Sequence, residues 1–391
     1  MNIVDVFAAH ASNQPDHPAG EDGERIVTYA RLQELANCAA ANLAQEGIAP
    51  GDIVALALPD TIEHVALIWA LAKIGAISFP INAQLLRSED EVGLGKHQLK
   101  AVIAVEGAPA LPEDSRIFFL VKLFARAPHL EPPATAPGGE HPLCCTQSSG
   151  TTGTAKTFLK SHDQAAIAAF HSDESSLCWT AADRYLALIS LSFSASSRNS
   201  IAALHTGATI ILDHSELVRE RIRTLQDKRV TVTILTPHHL RPLLAYVMRK
   251  KSADTALFFP LMRSMRVVTA AITAPELAAA RAHLTENLFI VYGANELSWI
   301  AMAAPVDQDA YPGSVGRPVP GGRNGNCRYK KPPTQAVGRN RPASRSLDLC
   351  RNRVSRQSAS GCACFSWRLV LSHGSGDHKR RRLHLPQGPR R

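Results

Sequence analysis

Apolar positions in the first quarter of the chain alternate between two spacings. Ile3, Phe7 and Ala11 share one face of a helix over Ile3–Gln14, ended by Pro15 and Pro18. Arg25–Tyr29 reads as a strand. Thr28 caps a second helix that puts Leu32, Leu35, Ala36, Ala39 and Leu43 on one face, with Gly47 beyond its end. A turn at Pro50-Gly51-Asp52 leads into Ile53–Leu58, an apolar run too short for a helix and read as a buried strand. Ile62–Ile74 is helical, Gly75 breaks it, and Ile77–Ile81 is the next strand. Strand, helix, strand in this order predicts an α/β fold, a parallel sheet covered by helices.

The same grammar continues. Ala101–Val105 is a strand. A Pro/Ala/Gly-rich loop over Ala127–Pro142 follows. Phe158–His162 runs from strand into turn, and Asp163 is expected to cap a helix through Phe170. His162 reads equally as a polar group near a bound anion and as a helix-start hydrogen-bonding group. Further strands are predicted at Asp183–Phe193, Gly207–Leu212, Val230–Pro237, Met265–Val268 and the run from Leu288 to Glu296, with a helix from His238.

Composition adds bounds. At 391 residues and 45% apolar content the chain suits two or three domains, or one large unit with an appendage. Met1–Asp5 lacks the basic and apolar regions of a signal peptide. The longest apolar stretch, Val65–Ile81, is broken by Lys73, Gly75 and Pro80, so no membrane span and a cytoplasmic location are expected. The net charge of +9 is unevenly spread. Residues 321–391 hold 17 Lys and Arg against Asp348 and Asp377, while residues 1–320 hold 26 bases against 32 acids. Cys362-Ala363-Cys364 is too close for zinc-finger spacing, and reduced structural thiols are the better reading of the cysteines.

Two stretches carry candidate chemistry. The first is Ser148-Ser149-Gly150-Thr151-Thr152-Gly153-Thr154-Ala155-Lys156. Its hydroxyls and successive N–H groups suit phosphate oxygens, its glycines permit close backbone approach, and Lys156 adds a point charge. Composition alone would make it a surface loop. Its density, its terminal lysine and its position after Leu143-Cys144-Cys145-Thr146 argue for the phosphate reading. It is not a Walker loop, because Gly-Lys-Ser/Thr is missing. The second is Tyr292-Gly293-Ala294-Asn295-Glu296, at the end of an apolar strand, where ligands bind in open α/β sheets. Tyr292 can stack on a base, Asn295 can donate to a phosphate or carboxylate, and Glu296 offers the oxygen ligands that Mg2+ prefers.

The first stretch resembles the phosphate loop of the adenylate-forming superfamily, the acyl- and aryl-CoA ligases, with Ala155 and Thr157 where that pattern has Pro and Gly. The second resembles its Tyr-Gly-x-Thr-Glu motif, with Asn295 for Thr. Gly51-Asp52, Lys73-Ile74-Gly75-Ala76, Phe79-Pro80-Ile81-Asn82 and Tyr311-Pro312-Gly313-Ser314-Val315-Gly316-Arg317-Pro318 follow in family order, so the resemblance covers about residues 1–320. It departs at Phe193-Ser194, where relatives place Phe-His, and at Thr269-Ala270-Ala271, where they have Gly-Gly-Ala. The second replacement removes the freedom of glycine to take positive φ.

The resemblance implies a large N-terminal domain of stacked mixed and parallel sheets with helices. It implies ATP, Mg2+ and CoA or another thiol as cofactors and partners, with a small carboxylic acid as substrate. By the same resemblance Ser149–Lys156 would bind the β- and γ-phosphates, Thr151 and Glu296 would serve Mg2+, and Tyr292 with Ala270 and Ala271 would flank adenine. Asn295 would contact the α-phosphate or the carboxylate, with Lys156 and Glu296 sharing the catalytic work.

Family motifs expected beyond residue 320 are not written in Gly321–Arg391. With the reading frame moved one nucleotide forward, the codon table permits them in order, from Gly322–Arg328, Gly338–Arg341, Trp367–Val370 and Arg382–Pro389. The expectation is therefore an adenylate-forming domain over 1–320 and an irregular, out-of-frame basic tail over 321–391. Activity would be impaired, because the hinge, the ribose-binding Asp and the catalytic Lys are lost with those motifs. The coding DNA decides this. The rivals are a nucleotide-binding pseudoenzyme and a nucleic-acid-binding tail, the latter with only Tyr329, Phe365 and Trp367 to stack bases. The acid is left open. Arg184, Arg198, Arg263, Arg266 and Arg281 are the cations in or beside the pocket-lining segments, and sequence does not orient them.

Overall fold

A computed structural model gives the architecture and describes residues 2–82, 99–108, 116–125, 137–148, 156–169, 178–250, 257–295 and 298–319. In chain order the elements are α1 (Ile3–Asn13), β1 (Pro18–Asp22), β2 (Arg25–Thr28), α2 (Tyr29–Gln45), β3 (Ile53–Ala57), α3 (Ile62–Ile74), β4 (Ile77–Pro80), β5 (Leu99–Ala104), β6 (Ile117–Phe119) and α4 (Leu120–Phe124). There follow β7 (Pro142–Ser148), β8 (Lys156–Ser161), α5 (His162–Ala169), β9 (Arg184–Ala187), α6 (Ser194–His205), β10 (Thr209–Leu212), α7 (Val218–Asp227), β11 (Val232–Leu235) and α8 (Pro237–Lys250). The last are β12 (Ser264–Val267), α9 (Ala274–His283), β13 (Leu288–Ala294), β14 (Ser298–Ala303), α10 (Pro305–Ala310) and β15 (Arg317–Pro318).

Among the described residues the strands form two sheets, ordered β15-β14-β13-β12-β11-β9-β10-β1-β2 and β6-β5-β3-β4-β7-β8. Pairing is parallel except at β1–β2, β13–β14, β14–β15 and β7–β8. The expected α/β fold of stacked sheets is therefore present, with antiparallel pairs toward the edges.

Strand alternation sets the layers. In β9, Tyr185 and Ala187 point into one core, and Leu186 points into another with Leu188 just beyond the strand. In β3, Val54 and Leu56 face the same core as Tyr185, while Ile53, Ala55 and Ala57 face away from it. Both faces of these strands are buried, which is why they read as continuous apolar runs. Helices α1, α2, α3 and α6 fill the layer between the sheets, and α7, α8 and α9 cover the far side of the larger one. Helix α3 is buried at eleven of its thirteen positions and is apolar all round, as a central helix must be. Tyr29 ties the layer together: its hydroxyl donates to the Ala208 carbonyl at 2.7 Å.

The helix signals are used as read. The Thr28 hydroxyl accepts from the Arg31 N–H at 3.2 Å, and Gly75 ends α3 in the left-handed region at φ +74°. Two expectations need correction. Asp163 does not cap α5: Ser161 and Gln164 bond each other's backbone N–H reciprocally, so the cap lies one position before the helix. The strand from Asp183 stops at Ala187, and Ser194–His205 forms helix α6, whose serines conceal it in the sequence. In the turn after β12, Thr269 takes a positive φ of +74° although it is not glycine.

Candidate active site

Strands β12 and β13 are parallel neighbours with Val267 opposite Ile290, so their C-terminal ends lie side by side. The turn after β12 exposes Thr269 and Ala270. The end of β13 exposes Tyr292 and Gly293, with Tyr292 38% accessible. Sequence forces this change: β13 alternates buried apolar residues up to Val291 and then supplies a ring and a glycine. Gly293 sits against β14, where a Cβ would overlap the Ser298 carbonyl oxygen, so the backbones approach as only glycine permits. Asn295 follows in the turn. The structure thus brings Ala270, Ala271, Tyr292, Gly293 and Asn295 to one sheet edge, where an open α/β sheet binds ligands.

The hydroxyl-rich stretch joins the antiparallel strands β7 and β8. Ser148 pairs with Lys156, so both stand at the mouth of this hairpin. Ser149, Gly150, Thr151, Thr152, Gly153, Thr154 and Ala155 lie outside the described residues, as does Glu296. Further down the hairpin the Lys160 Nζ donates to the Ser298 Oγ at 3.5 Å, linking β8 to the start of β14. The hairpin and the Tyr292 turn therefore share a wall. His162, next along, is fully buried. Burial, then the nearby His141, pushes its imidazole down to about 4, so it is a neutral core group at neutral pH.

Behind that wall lies a cavity of about 20 Å³, lined from four elements. Strand β7 contributes Cys144 and Thr146, β8 contributes Lys160, and α5 contributes Gln164 and Ala165. Helix α6 contributes Ser194, Ser197, Arg198 and Ile201. The α6 residues stand at i, i+3, i+4 and i+7, one helical face. That spacing was the available signal, but the serine-rich segment shows no apolar period to attract attention.

The five arginines now separate. Arg184 pairs with Glu21 at 2.6 Å, Arg263 with Asp183 at 2.6 Å and Arg281 with Asp309 at 2.5 Å. Arg266 is fully buried beside two indoles, 5.1 Å from the Trp179 ring centre and 5.0 Å from that of Trp299. Its Nε donates to the Ser264 Oγ at 2.9 Å. Arg198 lies 6.0 Å from the Trp299 ring and makes no hydrogen bond or ion pair with the described residues. Burial lowers its guanidinium to about 10, which leaves it charged at neutral pH. Burial also pushes the Cys144 thiol up, opposed by the charges of Lys160 and Arg198.

Among the described residues, no group of three His, Cys, Asp or Glu side chains is placed to hold a metal ion, and no helix is long and apolar enough to cross a membrane.

The sequence profile of the AMP-binding enzyme family matches residues 7–324. Among curated proteins, the indoleacetate–CoA ligase of Aromatoleum aromaticum is 28% identical over 82% of this chain and 65% of its own length. The probable non-canonical nonribosomal peptide synthetase CymA of Salinispora arenicola is 28% identical over 81% of this chain and 4% of its own. The chain thus spans less than two thirds of either relative. Among solved structures, the N-terminal subdomain of Klebsiella oxytoca NpsA in complex with 3-hydroxyanthranilyl-AMSN superposes with a TM-score of 0.71. It is 22% identical, and the match covers 82% of this chain and 79% of that one. The o-succinylbenzoate CoA synthetase of Bacillus subtilis gives 0.70 at 20% identity, covering 80% and 64%. These two likenesses concern the fold.

Proposed function

The chain belongs to the AMP-binding enzyme family, and from that premise we propose that it binds ATP and activates a small carboxylic acid as its adenylate. In this reaction a carboxylate oxygen attacks the α-phosphorus. The bond from that phosphorus to the bridging oxygen breaks, and pyrophosphate leaves. A thiol then displaces AMP to give the thioester. The observation that carries the reading is the pairing of the Thr269–Ala271 turn with Tyr292–Asn295 at adjacent strand ends, beside the hairpin that ends in Ser148 and Lys156.

The roles follow from residue chemistry. Tyr292, with Ala270 and Ala271, flanks the adenine. Ser148, the loop 149–155 and Lys156 neutralise phosphate charge through hydroxyls, N–H groups and an ammonium. Asn295 donates to the α-phosphate or the acid. Thr151 and Glu296 supply a hydroxyl and a carboxylate, the oxygen donors that suit Mg2+, and they would hold the ion that screens the phosphate oxygens when bound. The acceptor is a thiol, CoA in first place, since one relative is named a CoA ligase. Domain organisation is proposed as 1–320 with a separate basic tail. Because the tail lacks the motifs that continue the family pattern, adenylate formation by this chain is proposed to be impaired.

The test is a titration with Mg–ATP followed by ATP–pyrophosphate exchange. Binding that depends on Mg2+ and weakens about tenfold in Lys156→Ala is expected, a change of about 1.4 kcal/mol. Absence of ATP binding would remove the reading. Exchange faster than about 1 s⁻¹ with any acid, an ordinary enzyme rate, would remove the proposed impairment.

A further inference from the structure

We propose that Lys160 is a positioning residue for the nucleotide. By bonding Ser298 it ties the strand that returns from the Tyr292 turn to the hairpin that carries the phosphate loop, and so holds Asn295 against the α-phosphate. This rests on the adenylation reading and adds to it a residue outside the two contiguous motifs.

Strand β8 inverts the usual placement of its residue types. Leu159 is 43% exposed, while its neighbour Lys160 is 8% exposed. Successive side chains of a strand point to opposite faces, so exchanging the two would have put the leucine in the core and the ammonium in water. A lysine is rarely buried unless it is paired, because desolvating its charge is costly. Here the Nζ donates to the Ser298 Oγ at 3.5 Å. The bond runs from the smaller sheet to the first residue of β14 in the larger one.

Ser298 is itself a forced position. Its φ of +58° is a left-handed value on a residue that is not glycine. Its carbonyl oxygen fills the space that a Cβ on Gly293 would need, and the β13–β14 register shifts between Tyr292 and Gly293. Strain of this kind persists where the surroundings over-determine it, and it gathers at functional sites. Before the shift, Tyr292 pairs with Ala301 in the regular ladder. After it, Ala294 pairs with Ser298, and Asn295 follows. The sheet therefore holds the residue on the adenine side, while the Ser298 anchor holds the residue on the phosphate side. Lys160 pairs with Cys144, and Lys156 with Ser148. Four strand residues, about 13 Å, thus separate Lys160 from the mouth of the hairpin. At that distance Lys160 acts on the nucleotide through Ser298 and not by contact.

The test titrates the full chain calorimetrically with AMP and, in a parallel arm, with adenosine. The ratio of the two affinities reads the α-phosphate contact, and adenosine alone reads the Tyr292 side. The unsubstituted chain is expected to prefer AMP about tenfold or more, as a hydrogen bond to a charged group allows. In Lys160→Met the preference should fall to about twofold, with adenosine affinity unchanged, because a displaced donor loses its partner. Lys160→Arg, which keeps a donor, should retain most of it. Ser298→Ala should lower it as far as Lys160→Met does, and the double variant no further, since both remove one interaction. An AMP preference intact in Lys160→Met would overturn the proposal. So would an equal loss for AMP and adenosine, the mark of a merely structural lysine. Full preference in Ser298→Ala beside a loss in Lys160→Met would also overturn it, because the lysine would then serve the phosphate directly. If Lys160→Met fails to melt cooperatively, Ser298→Ala carries the decision, since it removes the acceptor and leaves the lysine. The two readings separate: AMP preference that survives both substitutions keeps adenylation and removes this proposal, whereas an unsubstituted chain that binds neither AMP nor ATP removes adenylation itself.

Discussion

Thr269 bears the strain of the turn that meets the candidate adenine site. Its φ of +74° is a left-handed value that β-branched side chains resist, where the resembling family has glycine. Strain of this kind costs about 1–3 kcal/mol. Thr269→Gly removes the clash and adds about 0.5–1 kcal/mol of chain entropy to the unfolded state. The net expectation is about 1 kcal/mol of added stability, read as a melting temperature higher by about 2 °C. An unchanged or lower melting temperature would show that the turn is relaxed around threonine. Gly293 shows the opposite relation, because there sequence and geometry agree: the residue before Ala294 has no room for a side chain against Ser298.

At the scale of elements, the Ser161–Gln164 cap fixes where β8 ends and α5 begins, and α5 carries Gln164 and Ala165 into the cavity wall. Ser161→Ala removes the acceptor for the Gln164 N–H and is expected to cost about 1 kcal/mol. Urea unfolding would report it as a lower midpoint with the slope unchanged; an unchanged midpoint would mean that the cap contributes nothing. The same region shows what sequence discloses. Parallel strands were legible because burial on both faces leaves short, uninterrupted apolar runs such as Ile53–Ala57. Helix α3 was legible because Gly75 punctuates it. Helix α6 was not, since Ser194, Ser196, Ser197, Asn199 and Ser200 favour caps and turns over helix interiors. Packing between the sheets overrides that preference. The turn and loop motifs of the site stood out because each is contiguous in the chain. The small cavity beside α6 did not, since Thr146, Lys160 and Arg198 come from three elements and only the fold joins them.

At the scale of the whole molecule, buried imidazoles set an acid limit on stability. His64 on α3, His162 on α5 and His205 on α6 are at most 2% exposed and lie on helices beside or between the sheets. The His64 Nδ1–H donates to the Pro59 carbonyl at 3.1 Å, and its Nε2 has no partner, so the neutral ring is the folded form. Burial is the largest cause at all three and holds each down to about 4, against an ordinary 6.5. The unfolded chain therefore binds more protons below pH 6.5, and stability must fall as the pH drops from about 6.5 toward 4. The loss approaches roughly 3 kcal/mol per group once the pH is below 4. Asp183 acts in a different window. Burial alone would raise its carboxyl, but bonds from Arg263, the Thr180 N–H and Thr231 outweigh that and hold it low, so its contribution is lost only below its ordinary range near 4. Melting temperatures are expected to be level from pH 8 to 7 and to fall steadily from pH 6.5 to 4.5. In His64→Leu the fall should be shallower, because one of the imidazole titrations lowered by burial is gone. A flat profile down to pH 4.5, or an unchanged slope in that variant, would place these rings in water rather than in the core.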